Sequence, residues 1–365
     1  MKIGFFTDTY FPQINGVTYT ISLWKKELEK RGHEVYVYYP EDKGYTAKER
    51  EVPLKSLSFF FYKGYKLGLP SQGKVEKDLD IIHIHGLFSM AAFGLAMARK
   101  MKIPSVLTYH TPADLYLGLL SSRESIQDIL KTAYKVYEKE LLERVDLITT
   151  PSEVIRDVLQ KKWGDKIARV VALSNGVDTE FFREVDTKAF KKKYGIKEGK
   201  VIGFTGRHNK EKHVDELINI ADRFDGQVLI AGDGPERADF EEMAKGQDNI
   251  KFLGFLPREE LPAFYSCLDV LCFPSRVETQ GLVVLEANAC GTPVVGADAL
   301  ALKETIDEGV NGFRYKPGDL DDIYSKISLI YKRLGAMKKS SVQYAKKESV
   351  GNIMGRLERI YGELR

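Results

Sequence analysis

One rhythm constrains this chain more than any single residue: short apolar strands alternate with segments that carry apolar residues at helical spacing, and the series runs twice. Residues 2–7 read as a buried strand, residues 17–30 as a helix ended by Arg31-Gly32, and residues 33–39 as the next strand. A strand at 81–84, a helix near 90–100, a strand at 105–109, a long helix within 125–144 and a strand at 146–149 continue it. A polar, Lys-rich connection around 178–200 follows, then strands at 201–205, 227–231, 250–253, 269–273 and 293–296 with helices between them. Such alternation predicts parallel sheets with helices on both faces.

The expected fold class is α/β, with two doubly wound, parallel-sheet Rossmann-like domains in tandem. A length of 365 residues suits two separate cores. The expected boundaries are 1–175 and 176–342. The tail 343–365 reads as helical and, by analogy with this architecture, is expected to cross back to the first domain. Doubly wound sheets bind ligands at the carboxyl ends of their strands, so the ligand is expected in a cleft that both domains face.

Composition narrows the class. With 43% hydrophobic and 29% charged residues the chain reads as an ordinary globular protein, and a formal charge of +3 is too slight for a nucleic-acid partner. Asp8 interrupts what would be the apolar core of a secretory signal. The most apolar stretch, 87–98, is shorter than the roughly 20 residues a spanning helix needs. A cytoplasmic location with at most peripheral membrane contact is expected. Cys267, Cys272 and Cys290 lack the spacing of a zinc site or a disulfide scaffold and read as buried structural residues.

Several carboxyl-end segments carry chemistry. The first strand runs into Asp8-Thr9-Tyr10-Phe11-Pro12-Gln13-Ile14-Asn15-Gly16-Val17 and a helix. Gly16 lets the backbone approach a ligand, and the helix start offers N–H groups and a favourable dipole to a diphosphate; an ordinary turn and cap is the alternative. The segment is neither GxGxxG nor a Walker loop, which counts against dinucleotide and ATP binding. Gly206-Arg207-His208-Asn209-Lys210-Glu211-Lys212 follows the second domain's first strand, placing Arg207 and Lys212 to stabilise charge on a departing diphosphate. In 274–287 a strand ends, a polar loop bends at Gly281 and a helix begins, so Gln280, Gly281, Leu282 and Val283 can offer N–H groups to phosphate or sugar oxygens. Glu278 then lies at the cleft. Glu286, about two turns along, faces inward, where a carboxylate needs hydrogen-bond donors such as ribose hydroxyls. His110 ends a strand of the first domain and is placed to hold a sugar. His83 and His85 share a strand face without a carboxylate cluster, and read as structural.

Together these residues resemble the retaining GT-B glycosyltransferases of family 4 type, which include bacterial glycolipid synthases and mannosyltransferases. The resemblance spans nearly the whole chain. It rests on Glu278 and Glu286 with seven residues between, the Gly206-Arg207 to Lys212 loop, the Ser174-Asn175-Gly176-Val177-Asp178 linker and the Asn15-Gly16 turn. It implies a nucleotide diphosphate sugar as co-substrate, with no metal or other cofactor required. Gly16, Arg207 and Lys212 would meet the diphosphate, Glu278 the sugar hydroxyls, Glu286 the ribose, His110 the sugar near the reacting carbon, and Leu256 the base, with Thr279 among the donor-binding residues. Two positions depart from the family pattern: His213 stands where a glycine commonly follows the loop lysine, and Glu278-Thr279-Gln280-Gly281 replaces Glu-Gly-Phe-Gly. Residues 8–17 and 278–282 resemble diacylglycerol glucosyltransferases more closely than other branches, which implies UDP-glucose as donor and a membrane lipid such as 1,2-diacylglycerol as acceptor.

Residues 54–75 point the same way. They carry Lys55, Lys63, Lys66 and Lys74 with no acid, interleaved with Phe59, Phe60, Phe61, Tyr62 and Tyr65. Lysines among aromatics suit a headgroup interface at the inner face of the cell membrane, where anionic lipid contributes about 1 kcal/mol per lysine. A long loop packing its own aromatics is the alternative. Four rival functions stay open: transfer to a soluble sugar or sugar phosphate, a GDP-mannose donor, a nucleotide-sugar epimerase or phosphorylase, and a non-catalytic nucleotide-sugar sensor. Oligomeric state is not legible.

Overall fold

A computed structural model describes residues 1–58, 66–110 and 124–365. The chain forms two units, Met1–Asn175 joined by Ile353–Arg365, and Gly176–Asn352.

In the first unit the strands are β1 Lys2–Thr7, β2 Glu34–Pro40, β3 Glu51–Leu54, β4 Ser56–Ser58, β5 Lys66–Gly68, β6 Ile81–His85, β7 Ser105–Thr108, β8 Leu147–Thr150 and β9 Val170–Ala172. The main sheet has the order β3-β2-β1-β6-β7-β8-β9 and is parallel throughout. β6, β7 and β8 are buried along their whole length, as apolar strands covered on both faces must be. β4 and β5 form a separate antiparallel pair within residues 54–75, the stretch of lysines and aromatics.

Strand order reverses between β1 and β6, and the backbone after each strand meets at that point. Asp8, 2% exposed, accepts hydrogen bonds from the backbone N–H of Phe88 (3.0 Å) and Met90 (2.9 Å) and from the Ser89 hydroxyl (3.2 Å). It thereby caps the helix Ser89–Met101, whose own N-cap Phe88 has no capping side chain. Burial raises the Asp8 carboxyl to about 6, against those three hydrogen bonds.

The terminal helix Val350–Leu364 belongs to the first unit from Ile353 onward. The Tyr361 hydroxyl lies 2.6 Å from His83 Nδ1, and the Glu358 carboxylate meets Arg31 Nη1 at 3.0 Å and His33 Nε2 at 2.8 Å. The return therefore starts later than the expected residue 343. The helix Leu334–Lys347 ends first, and Val177 brackets the break, donating to Glu348 O and accepting from Val350 N, both at 2.9 Å.

In the second unit the strands are β10 Val201–Thr205, β11 Gln227–Ala231, β12 Ile250–Gly254, β13 Val270–Phe273, β14 Val294–Ala297 and β15 Gly312–Tyr315. They lie in the order β12-β11-β10-β13-β14-β15, again all parallel. The Lys-rich connection holds a short helix, Lys188–Tyr194, anchored by buried Phe190. Cys267, Cys272 and Cys290 are buried free thiols.

Candidate active site

The second unit reverses strand order between β10 and β13, and the two strongest sequence motifs leave those two strands. Lys212 Nζ lies 2.5 Å from Glu278 Oε1 and 3.4 Å from Ser275 Oγ, while the Ser275 hydroxyl donates to the same Glu278 oxygen at 2.6 Å. The ammonium also stands 5.8 Å from the centre of the Phe273 ring. The Lys212 and Glu278 side chains keep 19% and 15% of their exposure, so the pair is shielded yet reachable. Arg207, on the same loop, is exposed and makes no ion pair among the described residues. After the turn Lys210–Lys212, His213 adopts φ +48°, ψ +41°. That is the left-handed region, so the backbone keeps a glycine's conformation although the residue is histidine, one of the side chains that tolerate it best.

Close packing sets these loops. A Cβ on Gly232 would fall 1.9 Å from Gly206 O, and one on Gly234 2.4 Å from His208 O. His208 N donates to Asp233 O at 2.9 Å. Arg276 N donates to Glu211 O at 3.3 Å, and the Arg276 guanidinium pairs with Glu216, to which the Tyr315 hydroxyl donates at 2.5 Å. The β10 and β13 loops thus hold each other in register.

Gly281 (φ +83°) precedes the helix Leu282–Ala289, and a Cβ there would meet Leu302 Cδ2 at 2.8 Å. The Thr305 hydroxyl binds the Gln280 carbonyl, fixing the bend beside Thr279. The helix start has no capping side chain, which leaves the first-turn N–H groups of Leu282 and Val283 for a ligand. Glu286 accepts from the Tyr265 hydroxyl at 2.9 Å and lies 3.8 Å from Arg258 Nη1. Burial raises its carboxyl above the ordinary range, opposed by Arg258 and Tyr265. Arg258 in turn rests over Phe182 and Phe181, 4.9 and 5.1 Å from their ring centres. Leu256, after β12, is buried in the core at 5% exposure. Ser275, Tyr265 and Arg258 are the partners of the candidate site residues that sequence reading missed; Ser275 alone had a local signal, three residues before Glu278.

In the first unit Gly16 is exposed at the start of the helix Gly16–Lys30. Asn15 caps it by accepting from Thr18 N at 2.9 Å, and its amide donates to Thr9 Oγ1 at 2.8 Å. His110, 8% exposed, follows β7 with Nε2 3.1 Å from His85 Nδ1, and burial lowers its pKa to about 4. Lys55 is exposed, whereas Lys66 is engaged by Asp42 at 2.8 Å and by Glu41 O at 3.1 Å. Phe59, Phe60 and Lys63 lie outside the described residues. Among the described residues no group of three His, Cys, Asp or Glu is placed to hold a metal, and no helix is long and apolar enough to cross a membrane.

Comparison with known proteins agrees with this geometry. Residues 14–181 match the family described as Glycosyltransferase Family 4, and residues 186–348 match Glycosyl transferases group 1. An alpha-monoglucosyldiacylglycerol synthase of Streptococcus pneumoniae is 32% identical over 336 residues, covering 86% of this chain and 75% of the relative. A GDP-mannose-dependent alpha-mannosyltransferase of Corynebacterium glutamicum is 29% identical over 327 residues, covering 86% and 76%. The solved structure of Anabaena Alr3699/HepE in complex with UDP shares the fold with TM-score 0.78 at 19% identity, covering the whole of both chains. Paired parallel sheets, a cation and carboxylate at the β10/β13 switch point and these matches together make the chain a member of the GT-B glycosyltransferases of family 4 type, hexosyltransferases whose co-substrate is a nucleotide sugar.

Proposed function

We propose that this enzyme transfers glucose from UDP-glucose to a hydroxyl of a membrane lipid such as 1,2-diacylglycerol, with retention of configuration. The observation that carries the reading is the Lys212–Ser275–Glu278 cluster at the β10/β13 switch point, beside exposed Arg207. Arg207 and Lys212 draw off the diphosphate, with Gly16 adding backbone N–H groups. Glu278 and the N–H groups of 280–283 hold the sugar, Glu286 binds the ribose, Leu256 lies by the base and His110 contacts the sugar near the reacting carbon. Pre-placed cations stabilise the developing charge without rearranging, the role a metal ion plays elsewhere. The acceptor oxygen attacks on the face the diphosphate leaves, and a departing phosphate oxygen takes its proton. A trapped glycosyl-enzyme ester would instead indicate double displacement.

The lipid acceptor draws support from the name of the Streptococcus pneumoniae relative and from the first unit's surface. Leu57 (58% exposed) and Leu69 (39%) stand out of the β4–β5 pair near exposed Lys55, a combination suited to a headgroup layer of a membrane's cytoplasmic face. Lys66 contributes less than the sequence pattern promises, because Asp42 already counters its charge.

The test presents UDP-glucose, UDP-galactose and GDP-mannose separately, with and without diacylglycerol in anionic vesicles, and measures diphosphate release and the anomer of the product. UDP release from UDP-glucose that needs the lipid, with an α-linked product, is expected. Release that ignores lipid moves the acceptor to a soluble sugar, and release from GDP-mannose alone replaces the donor, as the Corynebacterium glutamicum relative's name would allow.

A further inference from the structure

We propose that His85 is a positioning residue for sugar transfer, holding His110 in the tautomer whose proton sits on Nδ1. The role in transfer rests on the reading of His110 given above; the tautomer rests on geometry alone.

β6 and β7 run parallel with His85 opposite Thr108, so His110, two residues further on, follows the face that His83 and His85 share. The three imidazoles form a stack. His83 and His85 have ring centres 4.3 Å apart at 18°, and His85 and His110 5.4 Å apart at 23°. Phe5 and Trp24 close on His85 edge to face, with ring centres 4.7 and 5.5 Å away. His83 is pinned at both nitrogens: Nδ1 is 2.6 Å from the Tyr361 hydroxyl and Nε2 is 2.6 Å from Thr108 Oγ1. It gives His85 a fixed plane to stack on, and the terminal helix is part of the arrangement.

Burial lowers the pKa of all three rings, so near neutral pH each carries one proton. One proton then lies between His85 Nδ1 and His110 Nε2, 3.1 Å apart. If His110 donated it, the proton of His85 would sit on Nε2, which is buried and has no hydrogen-bond partner among the described residues. If His85 donates it, that buried nitrogen carries only a lone pair. A buried N–H donor without an acceptor is the costlier defect, so the second arrangement prevails. His110 then accepts at Nε2 and carries its own proton on Nδ1, the nitrogen left for substrate. The ring offers a sugar oxygen an N–H donor and cannot serve as a base toward a hydroxyl.

Two-bond proton–nitrogen spectra of protein labelled with [15N]histidine read the tautomers, with His110→Gln and His85→Asn assigning the signals. Nδ1–H on both His85 and His110 is expected; Nε2–H on His110 overturns the assignment. Steady-state kinetics with UDP-glucose test the role. His85→Asn places an amide N–H where Nδ1–H stood and keeps kcat within about threefold, whereas His85→Leu lowers kcat about tenfold or more, short of the roughly 10²- to 10³-fold lost when a hydrogen-bond donor to the reacting centre is itself removed. In a His110→Ala background His85→Leu adds less than about twofold. An equal loss in both backgrounds would make His85 a packing residue and end the proposal. Full turnover by His110→Ala would remove the reading of His110 and the positioning role with it, while the spectrum still decides the tautomer.

Discussion

Glu278→Gln separates the charge of the site from its shape. In the structure the Glu278 carboxylate sits 2.5 Å from Lys212 Nζ and accepts from Ser275 at 2.6 Å. Glutamine has the same outline, and its carbonyl oxygen still accepts from both. What disappears is a negative charge beside the cation proposed to meet the diphosphate. A phosphate oxygen approaching that ammonium at about 2.8 Å from the other side stands about 5 Å from the carboxylate. At that separation two unit charges repel by about 3 kcal/mol at an effective dielectric constant near 20. Water and salt reach side chains that are 15–19% exposed and reduce this to about 1–2 kcal/mol. Calorimetric titration with UDP should therefore show Glu278→Gln binding about 5- to 30-fold more tightly than the parent enzyme. Turnover of UDP-glucose should move the opposite way, falling about 10²- to 10³-fold as the sugar loses a charged hydrogen-bond acceptor that counts most in the transition state. UDP affinity that stays level or drops in the variant would place the diphosphate away from Lys212 and refute the assignment of the site.

Four further outcomes follow from the same geometry. Arg207→Gln should leave the urea midpoint unchanged, within about 0.5 kcal/mol, because the side chain is exposed without an ion pair, yet lower kcat about 10²-fold or more; a variant with normal kcat would exclude Arg207 from the diphosphate. His213→Gly should stabilise the second unit by about 0.5–1 kcal/mol in urea denaturation, since φ +48° strains any residue with a Cβ by more than the glycine loses in chain entropy. Gly281→Ala should cost about 2–3 kcal/mol in the same assay, combining the φ of +83° with a contact 2.8 Å from Leu302. Asp8 holds its proton to about pH 6 in the fold against 3.8 for the free side chain, so its contribution is full below the lower value and lost as pH rises through the upper. Parent-minus-Asp8→Asn stability should accordingly fall by about 2.5 kcal/mol between pH 4 and pH 7, and a flat difference would deny the effect of burial.

Much of the fold was legible because its strands are apolar runs separated by recognisable helices, and β1, β10 and β11 begin and end where the pattern places them. β3, β9 and β15 were not, since three or four residues at a sheet edge carry no period to count. The break at Glu348-Ser349 escaped because neither glycine nor proline marks it; the ladder with Val177, 171 or more residues earlier in the chain, is what ends the helix. The candidate site divides the same way. A switch point announces itself locally, as a strand, a polar loop and a helix start, so Lys212, Glu278 and Gly281 could each be singled out alone. Their partners could not. Tyr265 reaches Glu286 only because two helices pack, and Lys212 meets Glu278 only because β10 pairs with β13. The histidines show the limit most clearly. His83 and His85 share a strand face by alternation alone, and that reading stopped at a structural role for both. The register of β6 against β7 adds His110 to the stack and joins the buried pair to the residue proposed to contact the sugar. Local pattern thus names the groups that can do chemistry, while sheet register decides which neighbours hold their protons and charges, and the two must be read together before a role is assigned.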